Sequence, residues 1–193
     1  MTDIEKTLSN LRAAPPEGLA AGTTYSAGAT DHAVLTDSPI GAVWVSWSVK
    51  GITGVSPRFS SATIDDFMDV HRRLVHEAAQ LPNDLEDAVT AGLLDGDTLG
   101  LPIDFRGIPE FQQAVLSTCA TIPPGVVHPY GWIATEINNP GSVRAVGTAL
   151  GRNPIPLLVP CHRIVKSDGS VGNYAFGPEL KQQLLVHEGA ILA

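Results

Sequence analysis

The sequence predicts an α+β fold, in which a small strand-rich α/β domain precedes a mainly helical, winged-helix-like domain with a helix-turn-helix. Two observations predict this order. Residues 32–56, HAVLTDSPIGAVWVSWSVKGITGVS, alternate apolar and polar residues between turn signals, as in a meander of short strands. From residue 107 onward the apolar spacing changes to that of short helices. We expect an N-terminal extension at 1–30, the first domain at 31–101 and the second domain at 102–193.

In the first domain, two helices should follow the meander. Residues 63–81, TIDDFMDVHRRLVHEAAQL, have Thr63 as an N-cap, early acids, and apolar residues three and four apart, which predicts one helix. Residues 83–94, NDLEDAVTAGLL, predict a second helix. Ahead of the meander, residues 1–30 are expected to form a short helix and a linker of small residues.

The second domain contains a helix-turn-helix pattern. A first helix is led in by Pro109 and Glu110 and ends before the turn IPPG. YGWIATEIN (130–138) and SVRAVGTALGRN (142–153) predict two short helices joined by the turn NPG, with Ser142 opening the second helix. Helical hairpins also occur in proteins that never bind DNA, so this pattern alone does not identify a DNA-binding protein.

The C-terminal part is expected to end in a strand, a turn and a helix. The apolar run IPLLVPCHRIV (155–165) predicts a buried strand that ends near Cys161. The turn KSDGS and a last helix, PELKQQLLVHEG (178–189), follow.

Composition restricts the cellular setting. The two cysteines, Cys119 and Cys161, cannot build a disulfide framework, and no cluster has zinc-ligand spacing, so we expect no metal. The first residues lack the features of a secretory signal, and no apolar stretch approaches the roughly 20 residues of a membrane span. We expect a cytoplasmic protein without membrane association, in a reducing compartment where a free thiol persists.

The charge is unevenly distributed along the chain. The net charge of −8 at first argues against a nucleic-acid partner, because proteins that bind polyanions usually carry a basic surface. Residues 1–121, however, carry 7 Lys and Arg against 16 Asp and Glu, whereas residues 122–193 carry 5 against 4. The objection therefore applies only weakly to the second domain.

Cys161 is the candidate nucleophile, since His162 adjoins it, and His187 and Glu188 form a second acid-base pair near the end of the chain. An unperturbed thiol is only about 3% thiolate at pH 7, so activation could gain roughly 30-fold in rate. Adjacent residues on an extended chain point in opposite directions, so contact between Cys161 and His162 needs a backbone turn at Pro160 or a bridging water. The alternative is that Cys161 only fills the core, as most buried cysteines do.

Three other residues of these types are interpreted as structural. Cys119 lies on the helix FQQAVLSTCA without an ionisable neighbour, which favours a packing role. His128 and His187 are expected at the surface or at the edge of the core rather than as ligands.

Several motifs together resemble the O6-alkylguanine-DNA alkyltransferase family, also called methylated-DNA–protein-cysteine methyltransferases. VPCHRIV is similar to the acceptor motif of the family, and VRAVGTALGRNPIPLLVPCHR to the segment ahead of it. VGNY and LLVHEG are similar to the two segments behind that motif, and IPPGVVHPYGWIA to the entry of the DNA-binding helices. The resemblance is dense from about residue 101 to 190. Before it, only DSPIGAVWVSW and GITGV are similar to the N-terminal domain of the family.

The resemblance implies an irreversible DNA-repair reaction at Cys161. The alkyl group of O6-alkylguanine, with O4-alkylthymine as a second candidate lesion, would move to this cysteine once per protein molecule, without a cofactor. His162 and Glu188 would complete a proton relay, with a water between Cys161 and His162. Asn153 would position the loop that carries the cysteine.

The resemblance also implies how DNA would bind. The partner is double-stranded DNA, contacted in the minor groove without sequence preference by a monomer that associates with the nucleoid. Arg144 would enter the base stack, and Tyr130 would help to rotate the target nucleotide. Ser142, Ala145 and Gly147 would approach the DNA backbone. The pocket for the rotated base would be lined by Tyr174, Ala175, Phe176, Val159 and Pro160.

The sequence departs from the family pattern after GNY. Common members continue with Ser or Arg and then Gly-Gly, where this chain has Ala175, Phe176 and a single glycine. One hypothesis is that Phe176 at the pocket entrance slows the reaction of bulky O6 substituents such as benzyl. The other is that Phe176 packs against the last helix.

Two other functions compete with alkyl transfer. The first is a non-transferring DNA-binding protein that recognises alkylated bases for another repair pathway, although such relatives replace the acceptor cysteine. The second is a cysteine hydrolase that uses Cys161, His162 and Glu188 on an acyl substrate. A hydrolase would have no use for Arg144 or for the helix-turn-helix.

Overall fold

The computed structural model describes residues 31–72 and 74–192, so the expected helix and linker within residues 1–30 lie outside the described residues. A four-stranded sheet in the order β3-β2-β1-β4 forms the first part of the described chain. β1, β2 and β3 form the antiparallel meander that the sequence predicts, and β4 pairs with β1 in parallel. The strands are β1 (Asp31–Thr36), β2 (Val43–Ser48), β3 (Gly51–Pro57) and β4 (Val75–Glu77).

The helix predicted for residues 63–81 is shorter than expected. It covers α1 (Ile64–His71), where Thr63 and Asp66 form a complete capping box. Arg72 then takes a left-handed conformation, and Val75 enters β4 in register with Asp31 of β1. The prediction of one long helix was wrong because pairing with β1 and burial of Val75 outweigh the local helical periodicity.

The second helix of the first part, α2 (Asn83–Leu94), has the predicted bounds. Its apolar face packs into the largest buried cluster, which also contains β2 and β3 residues such as Val45 and Val55. The same cluster contains Leu158 and Cys161 from the second part of the chain. The segment before Cys161 is therefore in the same core as the sheet.

The second part is mainly helical. α4 and α5 form the helix-turn-helix, joined by a segment that ends in a 3₁₀ turn at Pro140–Ser142, and both pack against α3. A two-stranded parallel sheet pairs β5 with β6. None of the helices in the described part of the chain is long and apolar enough to cross a membrane. The elements are α3 (Glu110–Cys119), β5 (His128–Pro129), α4 (Tyr130–Glu136), α5 (Val143–Gly151), β6 (Ile164–Val165) and α6 (Pro178–His187).

The buried strand predicted to end near Cys161 was wrong. Only β6 is extended; residues 155–160 form a buried series of turns, and Cys161–Arg163 form a 3₁₀ turn. The Asn153 side chain makes this possible, because it accepts from the Ile155 N–H at 3.0 Å and donates to the Val159 carbonyl at 2.8 Å. Backbone groups that a sheet ladder would otherwise satisfy are thus bonded locally.

Candidate active site

Cys161 lies at the start of the 3₁₀ turn and is 8% exposed. Its Sγ accepts a hydrogen bond from Asn153 Nδ2 at 3.2 Å. The same amide group donates to the Val159 carbonyl, so Asn153 sets the position of both the sulfur and the segment that leads to it. The 3₁₀ turn, rather than a strand, provides the change of backbone direction between Cys161 and His162.

His162 is buried behind the cysteine and contacts Glu188. His162 Nε2 is 2.8 Å from Glu188 Oε1, and only the histidine can donate to an ionised carboxylate. A neutral His162 that donates from Nε2 has its lone pair on Nδ1. Nδ1 is buried and has no hydrogen-bond partner, so its lone pair is available to accept a proton.

Arg163, which we did not predict as a site residue, is hydrogen-bonded to the Glu188 carboxylate. It is fully buried, and its Nε and Nη2 donate to the two oxygens of Glu188 at 2.9 and 2.8 Å. Nη2 also donates to the Gly96 carbonyl at 2.6 Å, and Nη1 donates to the Ile122 carbonyl. The sequence did contain a signal for this role, because Arg163 is a charged residue within the mainly apolar run of residues 155–165.

The pKa shifts of Cys161, His162 and Glu188 favour an uncharged thiol, an uncharged imidazole and a charged carboxylate. Burial raises the pKa of Cys161, although the Asn153 hydrogen bond and the charge of Lys181 oppose the shift. Burial lowers the pKa of His162 more than Glu188 raises it. Burial also raises the pKa of Glu188, but hydrogen bonds from His162 and Arg163 outweigh it and lower that pKa to about 2. The Cys161 thiol and the His162 imidazole are therefore both neutral, and His162 is hydrogen-bonded to the ionised Glu188 carboxylate.

Lys181 is a second functional candidate that sequence reasoning missed. It lies on α6 and is fully buried, and its Nζ donates to the Ile164 carbonyl and, at 3.4 Å, to the Asn173 carbonyl. Burial lowers the pKa of Lys181 to about 8, while the neighbouring Cys161 and Cys119 raise it. Its position one turn before the buried Leu184 and Leu185 was the signal that it faces the core.

Cys161 borders a cavity of about 210 Å³ between the helix-turn-helix and the segment before α6. The Tyr174 hydroxyl is buried and has no hydrogen-bond partner, so it can bond a polar ligand there. Of the five residues predicted for the pocket, Tyr174 and Ala175 line it, whereas Val159 and Pro160 are buried and are not among its lining residues. The lining residues are Tyr130, Gly147, Leu150, Gly151, Cys161, Asn173, Tyr174 and Ala175.

Phe176 is not among the residues that line this cavity. Its ring packs edge-on against Tyr174 at a centroid distance of 5.5 Å and against Phe59 at 5.8 Å. Phe59 lies in the turn after β3, so the Phe176 ring has an aromatic partner that the sequence did not predict. Packing of Phe176 against the last helix stays a prediction.

A shallow groove adjoins the cavity on the α5 side. It is lined by residues that include Arg144 and Lys166, and it shares Tyr130, Gly147 and Asn173 with the cavity. Arg144 and Ala145 are exposed on α5. Ser142 occupies the N-cap position of α5, but its hydroxyl donates to the Asn139 carbonyl at 2.7 Å and does not cap the helix.

Of the three residues interpreted as structural, Cys119 is buried, His128 is partly buried and His187 is exposed. Cys119 is fully buried, and burial raises its pKa well above the usual value. No ionisable residue adjoins Cys119 in the sequence, but Cys161, Arg163 and Lys181, which are distant in the chain, influence its pKa. His128 stacks on Trp132 at 4.0 Å, and His187 Nε2 lies 3.0 Å from the Leu94 carbonyl. Within residues 31–72 and 74–192, no cluster of three or more His, Cys, Asp or Glu could hold a metal.

Together, the fold and the site define a protein with a buried cysteine nucleophile next to a helix-turn-helix. Residues 110–190 match the family model described as 6-O-methylguanine DNA methyltransferase, DNA binding domain. A methylated-DNA–protein-cysteine methyltransferase of Shigella flexneri is 38% identical over 163 residues, which cover 80% of this chain and 94% of that protein. The chain therefore belongs to the methylated-DNA–protein-cysteine methyltransferase family, as its motifs predicted.

Solved structures agree with this assignment and confirm the predicted α+β class. The crystal structure of Mycobacterium tuberculosis OGT in complex with DNA superposes with a TM-score of 0.67 at 31% identity, covering 82% of this chain and 93% of that one. The O6-methylguanine-DNA methyltransferase of Pyrococcus kodakaraensis gives a TM-score of 0.60 at 31% identity, covering 81% and 99%.

Proposed function

We propose that this protein repairs DNA by transferring the alkyl group of O6-alkylguanine to Cys161 Sγ, once per molecule. The observation that carries the proposal is the placement of Cys161 at a small cavity, with the His162–Glu188 pair behind it. The relatives that carry the methyltransferase name support alkyl transfer and do not favour a protein that only recognises the lesion.

The protonation states suggest the order of the steps. Cys161 is a thiol in the free protein, since burial raises its pKa, so its proton must leave as the substrate reacts. His162 Nδ1 is the available acceptor, and a water would connect the two because Nδ1 has no direct hydrogen bond to the sulfur. The imidazolium that results is stabilised by Glu188, whose low pKa keeps it ionised.

The transfer is a displacement at the alkyl carbon. The sulfur forms the new S–C bond while the C–O6 bond breaks, and the proton that the thiol gave to His162 is returned through water to the leaving guanine. The Tyr174 hydroxyl would donate a hydrogen bond to the leaving base; Tyr174 lines the cavity, and its hydroxyl has no other partner, which supports this role. The product thioether has no carbonyl that water could attack, so no second step restores the thiol.

DNA would bind on the α5 side of the cavity. The target nucleotide must leave the base stack, at a cost of about a few kcal/mol, before it can reach Cys161. Exposed Arg144 would fill the gap, and Tyr130, which borders both the groove and the cavity, would guide the nucleotide between them. Ala145 and Gly147 have no bulk to prevent a close approach to the DNA backbone. The lack of a row of base-reading side chains on α5 supports binding in the minor groove without sequence preference.

Intact mass spectrometry after incubation with duplex DNA containing O6-methylguanine tests the proposal. We expect one CH2 increment per molecule, mapped to Cys161, and none in Cys161→Ser. Cys119→Ala is the matched control, because it changes the other cysteine without touching the relay, and it should still be methylated. A protein that binds the lesion but stays unmodified would favour the recognition function. A protein that neither forms an adduct nor binds the lesion would favour the hydrolase function.

A further inference from the structure

One wall of the cavity at Cys161 is a short segment, residues 172–177, which we call the wall loop. Asn173, Tyr174 and Ala175 of this loop line the cavity. Gly172 and Gly177 bound it with φ values of 72° and 95°, a backbone region that glycine enters without strain. Two such glycines allow the loop to change direction at both ends, so contacts from outside the loop must determine where it lies.

One contact from outside the loop is aromatic and comes from the first part of the chain. Phe59, in the turn that follows β3, meets the Phe176 ring edge-on with an interplanar angle of 89°. Phe176 in turn meets Tyr174 at 82°, and Tyr174 lies 6.4 Å from the His162 ring at 77°. A continuous row of four rings thus connects the surface at Phe59 to the proton relay.

The wall loop is also restrained by the packing of Tyr174 against the main buried cluster and by two hydrogen bonds. Lys181 Nζ donates to the Asn173 carbonyl at a long 3.4 Å, and the Gly177 N–H donates to the Tyr174 carbonyl at 3.2 Å within the loop itself. An edge-to-face pair of rings contributes about 0.5–1.5 kcal/mol beyond the area it buries, which is comparable to either hydrogen bond. Phe59 is 63% exposed, so its packing on Phe176 cannot be explained as core formation.

We propose that Phe59 is a positioning residue: through Phe176 it holds the wall loop against the cavity and thereby limits the size of the O6 substituent that Cys161 accepts. This proposal rests on the proposed function. Phe176 does not line the cavity and so does not block it. Its role is to connect Phe59 to Tyr174, and thereby to Ala175, which do line the cavity. Selectivity between small and bulky lesions is then set partly by a residue of the first part of the chain.

The test compares transfer rates for O6-methylguanine and O6-benzylguanine in the same duplex sequence. Phe59→Ala should raise the benzyl-to-methyl rate ratio about three- to tenfold, because losing one ring pair frees the wall loop. Phe59→Tyr should keep the wild-type ratio, since the ring remains and the added hydroxyl can reach water. Val70→Ala is the matched control, because Val70 is also 63% exposed.

A double-mutant cycle tests whether Phe59 acts through Phe176. Phe59→Ala should have no further effect on the ratio in a Phe176→Ala background, because the ring it contacts is then gone. Additive effects, or a ratio in Phe59→Ala equal to that in Val70→Ala, would overturn the proposal.

Failure of the proposed function would be visible separately, as absence of any methyl adduct on the wild-type protein. In that case amide hydrogen exchange of residues 172–177 still decides the structural part of the inference. Exchange should be faster in Phe59→Ala than in Val70→Ala, and equal exchange would overturn it.

Discussion

Arg163 donates hydrogen bonds to both carboxylate oxygens of Glu188, at 2.9 Å from Nε and 2.8 Å from Nη2. The carboxylate is 5% exposed, so it depends on this cation to remain ionised in the protein interior. Glu188 Oε1 is also the atom nearest His162 Nε2. Arg163 therefore fixes the orientation of the Glu188 carboxylate and keeps it charged. Its hydrogen bond to the Gly96 carbonyl connects Glu188 to the segment after α2.

Gly96→Ala should disturb this pair directly. A Cβ at Gly96 would lie 2.6 Å from Arg163 Nη2 and 2.9 Å from Glu188 Oε1, in a backbone conformation with φ of 73°. We expect a loss of about 2–4 kcal/mol in the free energy of unfolding, from clash and backbone strain together, and slower transfer to Cys161. Urea denaturation and single-turnover kinetics measure the two effects.

Gly100→Ala is the matched control for that variant. Gly100 has a φ of 78°, but a Cβ there meets nothing within 4 Å. Gly100→Ala should lower the free energy of unfolding by about 1–2 kcal/mol, from backbone strain alone, and should leave the transfer rate unchanged. Equal losses of stability and activity in both variants would contradict the role assigned to Gly96.

The low pKa of Glu188 predicts an acid-sensitive contribution to stability. Because the folded-state pKa is lowered from 4.5 to about 2, the contribution is fully present above pH 4.5 and is lost as the pH falls toward 2. The size of the shift corresponds to roughly 3 kcal/mol at most. Unfolding measured between pH 5 and 2 should show this slope in the wild type and in the exposed-site control Glu179→Gln. In Glu188→Gln the slope should be reduced, and an unchanged slope would refute the assignment.

Replacing Lys181 by methionine should make Cys161 a poorer nucleophile. The positive charge of Lys181 opposes the effect of burial on the Cys161 pKa, so its removal should raise that pKa further. We expect the pH–rate profile of the reaction with free O6-benzylguanine to move to higher pH, with a rate at pH 7 lower by about tenfold. Lys50→Met, at an exposed position, is the control and should leave the profile in place.

The same variant has a thermodynamic signature. The Lys181 pKa is lowered to about 8, so between pH 8 and 10.5 the unfolded chain holds a proton that the folded protein has released. The free energy of unfolding of the wild type should therefore rise between pH 8 and 10.5 because of Lys181. Lys181→Met should lack this rise. A rise of equal size in both proteins would show that another group is responsible.

Arg144 should matter for duplex DNA and not for the free base. If it fills the gap left by the rotated nucleotide, Arg144→Ala should slow transfer from duplex DNA about 10- to 100-fold, which corresponds to part of the cost of base extrusion. Reaction with free O6-benzylguanine should be unaffected. Arg152→Ala removes another exposed arginine, at the opposite end of α5, and should have a smaller effect on the duplex reaction. Similar losses on both substrates would indicate a structural role for Arg144.

Local patterns predicted some elements well and failed where long-range contacts compete with them. The bounds of α2 follow from sequence periodicity alone, because no other element changes its ends. The helix predicted through residue 81 fails because β1 offers Val75 a parallel strand partner. The strand predicted before Cys161 fails because one side chain, Asn153, bonds the backbone in turns.

The sequence by itself determined the family, the α+β class, the nucleophile candidate and its histidine neighbour, because these are written in contiguous motifs. Only the tertiary structure decided that Arg163 and Gly96 hold Glu188, that Lys181 is buried near the sulfur, and that Phe59 reaches the cavity wall. The physical reason is that protonation and position depend on burial and on partners far apart in the chain, which no local pattern of residues records.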